Sequence, residues 1–275
     1  MSPILVFTDL DGTLLDAETF GFEPARKGLA ALKERHIPLI FTSSKTRPEL
    51  EAWRQRLGNT DPFISENGGA LYLTADWTPM PDRATPVGGG LVGVEIGVPL
   101  NRLRVALREI SAELGVALRG FGDMSRTEVA QLSGLDGLAL DHALAREYDE
   151  PFLPDPPLTG GQKARLAELA RARWLSVTRG GRFYHLTGPT SKARAARFLI
   201  EMLPGPLTII AAGDAPNDME LLGLAHHPIV VAQPGGGHAD ELKRSLPKAL
   251  FTRSVGPAGF TEGILSVLER VNEEP

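Results

Sequence analysis

Three short, almost wholly apolar runs, 4–7, 37–41 and 207–212, each end in oxygen-rich sequence. Continuous apolarity without alternation marks a strand buried on both faces, as in a parallel sheet. Between and after them the apolar positions take a helical period over 23–35, 48–57, 191–203, 217–224 and 261–271. Short strands at 62–64, 70–73 and 229–232 complete a strand–helix alternation. That alternation predicts an α/β fold, a doubly wound parallel sheet of Rossmann-like type.

The segment 84–187 follows another rhythm. It opens on Thr85-Pro-Val-Gly-Gly-Gly90, then alternates as a strand over 91–98, with a helix over 103–114, a strand near 116–121 and a helix near 128–132. A proline-rich stretch, 151–157, leads to a helix over 162–173. Strands at 175–178 and 183–186 flank Arg179-Gly-Gly-Arg182, a hairpin signal. Residues 84–187 are thus expected to form an inserted α/β domain, with 1–83 and 188–275 forming the core.

Composition narrows the function classes. With 42% hydrophobic and 23% charged residues the chain has the balance of a soluble globular protein. A net charge of −5 offers nothing to nucleic acid or an anionic membrane. No apolar run has the length of a membrane span, and no leader pattern precedes Ile4, so a cytoplasmic protein without nucleic-acid or membrane partners is expected. There is no cysteine, which removes disulfides, thiol catalysis and thiolate metal sites. Abundant arginine and scarce asparagine hint at a thermophilic source.

Chemistry concentrates at the three strand ends. If the chain stays extended through Thr8, Asp9 and Asp11 point to one side. Their repulsion calls for a cation between them, although an ordinary Asp-Gly turn is the alternative. Thr42, Ser43, Ser44 and Lys45 offer donors suited to a phosphate dianion, or else an N-cap for the helix at Pro48. The third strand delivers Asp214, with Asn217 and Asp218 at the next helix start, where Asp218 either caps that helix or joins a site. In open parallel sheets ligands bind beyond the carboxyl ends of the strands. Carboxylates converging there without histidine or cysteine suit Mg²⁺. Lys192, following Thr190-Ser191, is either a solvated helix lysine or the cation that neutralises the site.

Asp9-Leu-Asp-Gly-Thr13, the strand-end Ser43, Lys192 and Gly213-Asp-Ala-Pro-Asn-Asp218 resemble, in order, the four motifs of the haloacid dehalogenase-like phosphatases. The resemblance spans the chain, and the insertion lies where that family carries its larger, C2B-type α/β cap. It implies Asp9 as nucleophile, forming an aspartyl-phosphate, and Asp11 as general acid and then base. It implies Mg²⁺ on Asp9, the Asp11 main-chain carbonyl and Asp214, with Asp218 nearby.

Further stretches resemble the mannosyl-3-phosphoglycerate phosphatase branch, whose product is the compatible solute mannosylglycerate. These are Ser43-Ser-Lys-Thr46, Ser65-Glu-Asn-Gly-Gly69, Arg146-Glu-Tyr-Asp-Glu-Pro-Phe152, Gly181-Arg-Phe-Tyr-His-Leu-Thr-Gly188 and Gly256-Pro-Ala-Gly-Phe260. A small phosphosugar substrate is implied. Ser44, Lys45, Glu66, Asn67, Gly68, Gly69 and Asn217 become candidate substrate contacts, and Arg179, Arg182 and His185 candidates for a glycerate carboxylate. For Arg179 and Arg182 a solvated turn is equally open, and for Glu66–Gly69 a plain turn. The alternatives are a phosphatase for glucosyl-3-phosphoglycerate or sucrose phosphate, a hexose-phosphate mutase, and a non-catalytic phosphosugar-binding regulator. Gly88–Gly93 fits G-x-G-x-x-G but precedes a strand, so a flexible inter-domain segment is expected. His226-His227 and Gly235–Gly237 are expected to be loop.

Overall fold

The computed structural model describes residues 2–180 and 182–273; Gly181, part of one family-like stretch, lies outside them. The chain begins β1 (Ile4–Thr8), α1 (Arg26–Glu34), β2 (Leu39–Thr42), α2 (Arg47–Leu57) and β3 (Phe63–Ser65). It continues through β4 (Ala70–Thr74), β5 (Thr85–Gly88) and β6 (Leu91–Glu95). The middle holds α3 (Leu100–Leu114), β7 (Ala117–Gly120), α4 (Arg126–Ser133), α5 (Gly137–Leu144), β8 (Asp149–Asp155), α6 (Gly160–Arg171), β9 (Ser176–Gly180) and β10 (Phe183–Thr187). The return comprises α7 (Lys192–Met202), β11 (Thr208–Gly213), α8 (Met219–Leu224), β12 (His227–Ala232), α9 (Asp240–Ser245), β13 (Leu250–Val255) and α10 (Gly256–Glu273).

A nine-stranded sheet runs β13-β12-β11-β1-β2-β3-β4-β6-β5. The six strands from β13 to β3 are parallel, and the last three join antiparallel. The uninterrupted apolarity of β1 has the expected cause. Val6 faces the core under α1 and α10, while Leu5 and Phe7 face the core under α7 and α8. Ile210 and Ala212 against Ile209 and Ala211 repeat the division in β11, so the parallel part is doubly wound. Each such buried valine, leucine, isoleucine or phenylalanine contributes roughly 1.5–3 kcal/mol.

A separate four-stranded antiparallel sheet, β7-β8-β10-β9, is covered by α3 and α6. Its core packs Leu103, Leu107, Phe152, Leu166, Leu169 and Leu186. The two passages between the sheets cross where a Cβ on Gly188 would meet the backbone nitrogen of Val98 at 2.9 Å.

Three differences from the sequence expectations have local causes. Residues 85–95, assigned to the insertion, instead form the β5–β6 edge of the large sheet. Gly88, Gly89 and Gly90 all take positive φ and make their turn, not an inter-domain linker. The proline-rich stretch at 151–157 is largely β8, a middle strand of the small sheet. Pro151 pairs only with β10 and Pro154 only with β7, so each meets a partner strand on one side alone, the edge-like setting that tolerates proline. The short elements α5, α9 and β13 carried too little periodicity to be expected. Among the described residues no helix is long and apolar enough to cross a membrane.

The turn after β3 braces the start of α7. Thr190 Oγ1 donates to the Gly68 carbonyl at 2.6 Å, and a Cβ on Gly68 (φ +96°) would lie 2.2 Å from the Ser191 carbonyl oxygen. Gly68→Ala is therefore expected to destabilise the fold by about 2–3 kcal/mol through backbone clash and positive φ. Urea titration reads this, and an unchanged midpoint would contradict the packing described.

Candidate active site

Pairing register brings the three strand ends together. Thr8 stands opposite Ala212 of β11 and Phe41 of β2, and the Asp9 amide donates to the Ala212 carbonyl at 2.9 Å. Asp9, Ser43 and Asp214 thus leave their strands side by side, as the sequence expectation required.

Lys192, on the first turn of α7, is 1% exposed and reaches into this group. Its Nζ donates to Asp9 Oδ1 at 2.7 Å and to Asp218 Oδ1 at 2.6 Å. Asp218 Oδ2 accepts from the amides of Asp214 and Ala215, each at 3.2 Å, so this residue does not cap α8 with its side chain but holds both the turn after β11 and the lysine. Thr13 Oγ1 donates to Asp214 Oδ1 at 3.1 Å, and Gln233 Nε2 donates to the Asp214 carbonyl at 3.0 Å. Gly12 (φ +80°) lets the chain pass so close that a Cβ there would be 2.9 Å from Asp214 Oδ2.

Carboxylate oxygens of Asp9, Asp214 and Asp218 lie within 4.8 Å of one another, all three residues buried. Three carboxylates share one ammonium, which leaves negative charge in a buried site. Burial pushes Asp9 up to about 8; Lys192 opposes the rise while Asp218 and Asp214 add to it. Burial, then Asp218, pushes Asp214 up to about 6. Lys192 is raised despite its burial, because Asp218 and Asp9 stabilise its charge. An all-oxygen, anionic donor set of this kind fits a hard divalent cation, and these residues can hold one.

Asp11 lies one step outward. Lys45 Nζ is 2.8 Å from Asp11 Oδ2, whereas Asp11 Oδ1 is buried without a protein partner. Both residues line a cavity of about 200 Å³ between the large sheet and the inserted unit, together with Ser44, Arg146, His185 and Phe183. Across it, Arg146 Nη1 donates to the buried Asp149 at 2.7 Å, and His185 Nδ1 is 2.9 Å from the same carboxylate.

The remaining expected residues scatter. Ser43 is buried, its Oγ accepting from the Lys45 amide at 3.3 Å. Glu66 is wholly buried and its carboxylate accepts from the Glu147 and Tyr148 amides, the nearest at 2.8 Å, so it ties the two units together and is not free to meet a sugar hydroxyl. Burial raises it to about 7. Asn67 Oδ1 is buried without a partner. Gly68 packs on Ser191 and Gly69 on Tyr148, both at backbone positions where a side chain would clash. Asn217 is exposed. Arg179 and Arg182 are both exposed, Arg179 stacked over Tyr184 and Arg182 donating to the Leu132 carbonyl at 2.6 Å. Alternation along β10 turns His185, not its arginine neighbours, to the cavity. Arg146 and Asp149 were not anticipated as site residues. The signal was a dense ionisable run, Arg146 to Glu150, entering the apolar Phe152-Leu153.

Residues 6–81 match the haloacid dehalogenase-like hydrolase family. Over 271 residues the chain is 35% identical to a glucosyl-3-phosphoglycerate/mannosyl-3-phosphoglycerate phosphatase of Methanococcoides burtonii, covering 98% of each. It is 29% identical over 239 residues to a mannosyl-3-phosphoglycerate phosphatase of Pyrococcus horikoshii, covering 82% of this chain and 90% of that one. A crystal structure of a Thermoplasma acidophilum protein shares the fold at a TM-score of 0.67 and 16% identity, over 99% of both chains. The chain is a member of the haloacid dehalogenase-like hydrolases and, within them, of the family that holds the glucosyl-3-phosphoglycerate/mannosyl-3-phosphoglycerate phosphatases.

The raised carboxylates fix a pH dependence. Asp9 and Asp214 bind protons more tightly when folded, about 8 and 6, than the ordinary 3.8 of an unfolded chain. Their contribution to stability without metal is therefore full below about pH 4 and is lost as pH rises through 6 to 8. A divalent cation displaces those protons and reverses the loss. In EDTA the unfolding midpoint should fall across that range, and Mg²⁺ should raise it most at the alkaline end. A Mg²⁺ effect equal at all pH values would contradict the assigned cluster.

Proposed function

We propose that this protein hydrolyses the phosphomonoester of mannosyl-3-phosphoglycerate, releasing mannosylglycerate, a compatible solute, and phosphate. The observation that carries the reading is Asp9, buried at the end of β1 on Lys192 and flanked by Asp214 and Asp218, beside a cavity that Asp11 lines. The substrate follows the mannosyl-3-phosphoglycerate phosphatase names of the Methanococcoides and Pyrococcus relatives. Glucosyl-3-phosphoglycerate is a second substrate, because the more similar relative carries both names.

Asp9 Oδ1 is engaged by Lys192, leaving Oδ2 to attack phosphorus as the ester P–O bond breaks. The departing alcohol oxygen takes its proton from Asp11, whose unpartnered Oδ1 is the oxygen free to hold it. Water then attacks the aspartyl-phosphate, Asp11 accepts its proton, and phosphate leaves Asp9. Lys192 holds the nucleophile in place and supplies positive charge throughout, while Ser43, just after the neighbouring strand β2, would donate to a phosphoryl oxygen. Asp9, the Asp11 main-chain carbonyl and Asp214, with Asp218 nearby, would hold Mg²⁺, which would supply charge to neutralise phosphoryl oxygens.

The core comprises residues 2–97 and 188–273, and the cap the segment between, so β5 and β6 belong to the core. The cap encloses the sugar and glycerate and excludes water before the phosphoryl group has moved.

Asp9→Asn is expected to abolish phosphate release from mannosyl-3-phosphoglycerate. Asp11→Asn should slow it by roughly 10²–10⁴-fold. Colorimetric phosphate assays with Mg²⁺ and with EDTA check both, and near-normal turnover by Asp9→Asn would overturn the mechanism.

A further inference from the structure

The cap wall of the cavity carries a buried donor that the protein does not satisfy. Asp149 is wholly buried and holds Arg146 Nη1 at 2.7 Å and His185 Nδ1 at 2.9 Å, so one carboxylate orients both. Arg146 Nη1 also lies 3.4 Å from the Ser44 carbonyl, which fixes the guanidinium against the loop after β2. Its Nε, by contrast, is buried without a protein partner. With Nη1 committed to Asp149, the Nε edge remains, the edge that presents parallel N–H groups to a carboxylate. Lys45 lines the same cavity from the core side.

The acidic groups in that lining are already occupied. Glu49 Oε2 accepts from the Thr46 amide at 2.9 Å in the capping box of α2, and Asp11 Oδ2 pairs with Lys45 at 2.8 Å. Arg146 and His185 are thus left facing about 200 Å³ of space next to Asp11, which serves the ester oxygen. A ligand with no acceptor for Arg146 Nε would leave that desolvated guanidinium donor unsatisfied, an expensive arrangement. An anion one short carbon chain away from the ester oxygen would complete it.

We infer that Arg146 and His185, set by Asp149 and joined by Lys45, form a subsite for a carboxylate borne two carbons from the phosphoester oxygen, as in a 3-phosphoglycerate moiety. This rests on the function proposed above and names the residues that recognise its acid group. Arg146 and His185 contact the substrate, and Asp149 is a positioning residue. Of the side chains expected from the sequence for this task, Arg179, Arg182 and His185, the subsite keeps His185 and adds Arg146 from the segment before β8.

The test compares kcat/KM for mannosyl-3-phosphoglycerate and for its analogue with the carboxylate reduced to a hydroxymethyl group, using the full chain with Mg²⁺. Wild-type protein should prefer the acid by roughly 100-fold or more, the selectivity of a charge-paired contact. Arg146→Lys and His185→Gln should each reduce that preference by about 10-fold or more. The His185 variant keeps the test decisive if Arg146 variants do not fold. A structural role alone would depress both substrates alike and leave the ratio unchanged, which would overturn the inference. A wild type without preference would overturn the subsite and leave the phosphatase reading standing. Release from neither compound, with p-nitrophenyl phosphate still hydrolysed, would overturn the proposed substrate and the subsite with it.

Discussion

The buried ammonium of Lys192 is the constraint on which the site depends. An ammonium at 1% exposure would cost several kcal/mol if left unpaired. It is paired twice, and its partners come from different parts of the chain, Asp9 after β1 and Asp218 at the start of α8. The fold must therefore bring α7, the first element after the insertion, back over the carboxyl ends of the central strands. Conversely, the carboxylates cannot be gathered without it, since three of them in a buried site repel one another. Sheet order, strand register and the brace from Gly68 to Ser191 all serve this one arrangement.

A second charged system holds the inserted unit over the first. Glu66 reaches from the turn after β3 to the amides before β8, Arg47 pairs with Glu147, and Thr46 Oγ1 donates to the His142 carbonyl at 2.8 Å. These contacts join α2 and its flanking loops to α5 and β8, around the space between Asp11 and Arg146. The two systems meet at the cavity, where the proposed reaction has one handle the phosphoryl group and the other face the remainder of the substrate. That division follows from the topology: parallel strands supply the clustered carboxylates, and an antiparallel sheet on a crossed pair of connections supplies the opposite wall.

The core was legible because its signals are local and physically strong. Strands buried on both faces cannot alternate, so Ile4–Phe7 and Leu207–Ala212 declare a central parallel sheet, and carboxylates at their ends need a partner. Asp9, Asp11, Asp214 and Lys192 could be assembled on those grounds. The inserted unit was less legible. Pro151 and Pro154 mask a strand whose position in the sheet decides whether proline is tolerated, which no local pattern records. Arg179 and Arg182 were attractive for their charge, yet the pleat turns His185 to the cavity and leaves both arginines at the surface. Arg146 emerges only when tertiary structure shows that Asp149 occupies one edge of its guanidinium and leaves another free.

The central claim is that Asp9 carries the phosphoryl group between substrate and water. Acid quenching of the Mg²⁺-loaded protein during turnover of ³²P-labelled mannosyl-3-phosphoglycerate, followed by peptide mapping, tests it most directly. Acid-stable, hydroxylamine-labile label is expected on the peptide that contains Asp9, and none in Asp9→Asn. Label on another residue, or full turnover in single-turnover experiments with no labelled protein at any quench time, would contradict it.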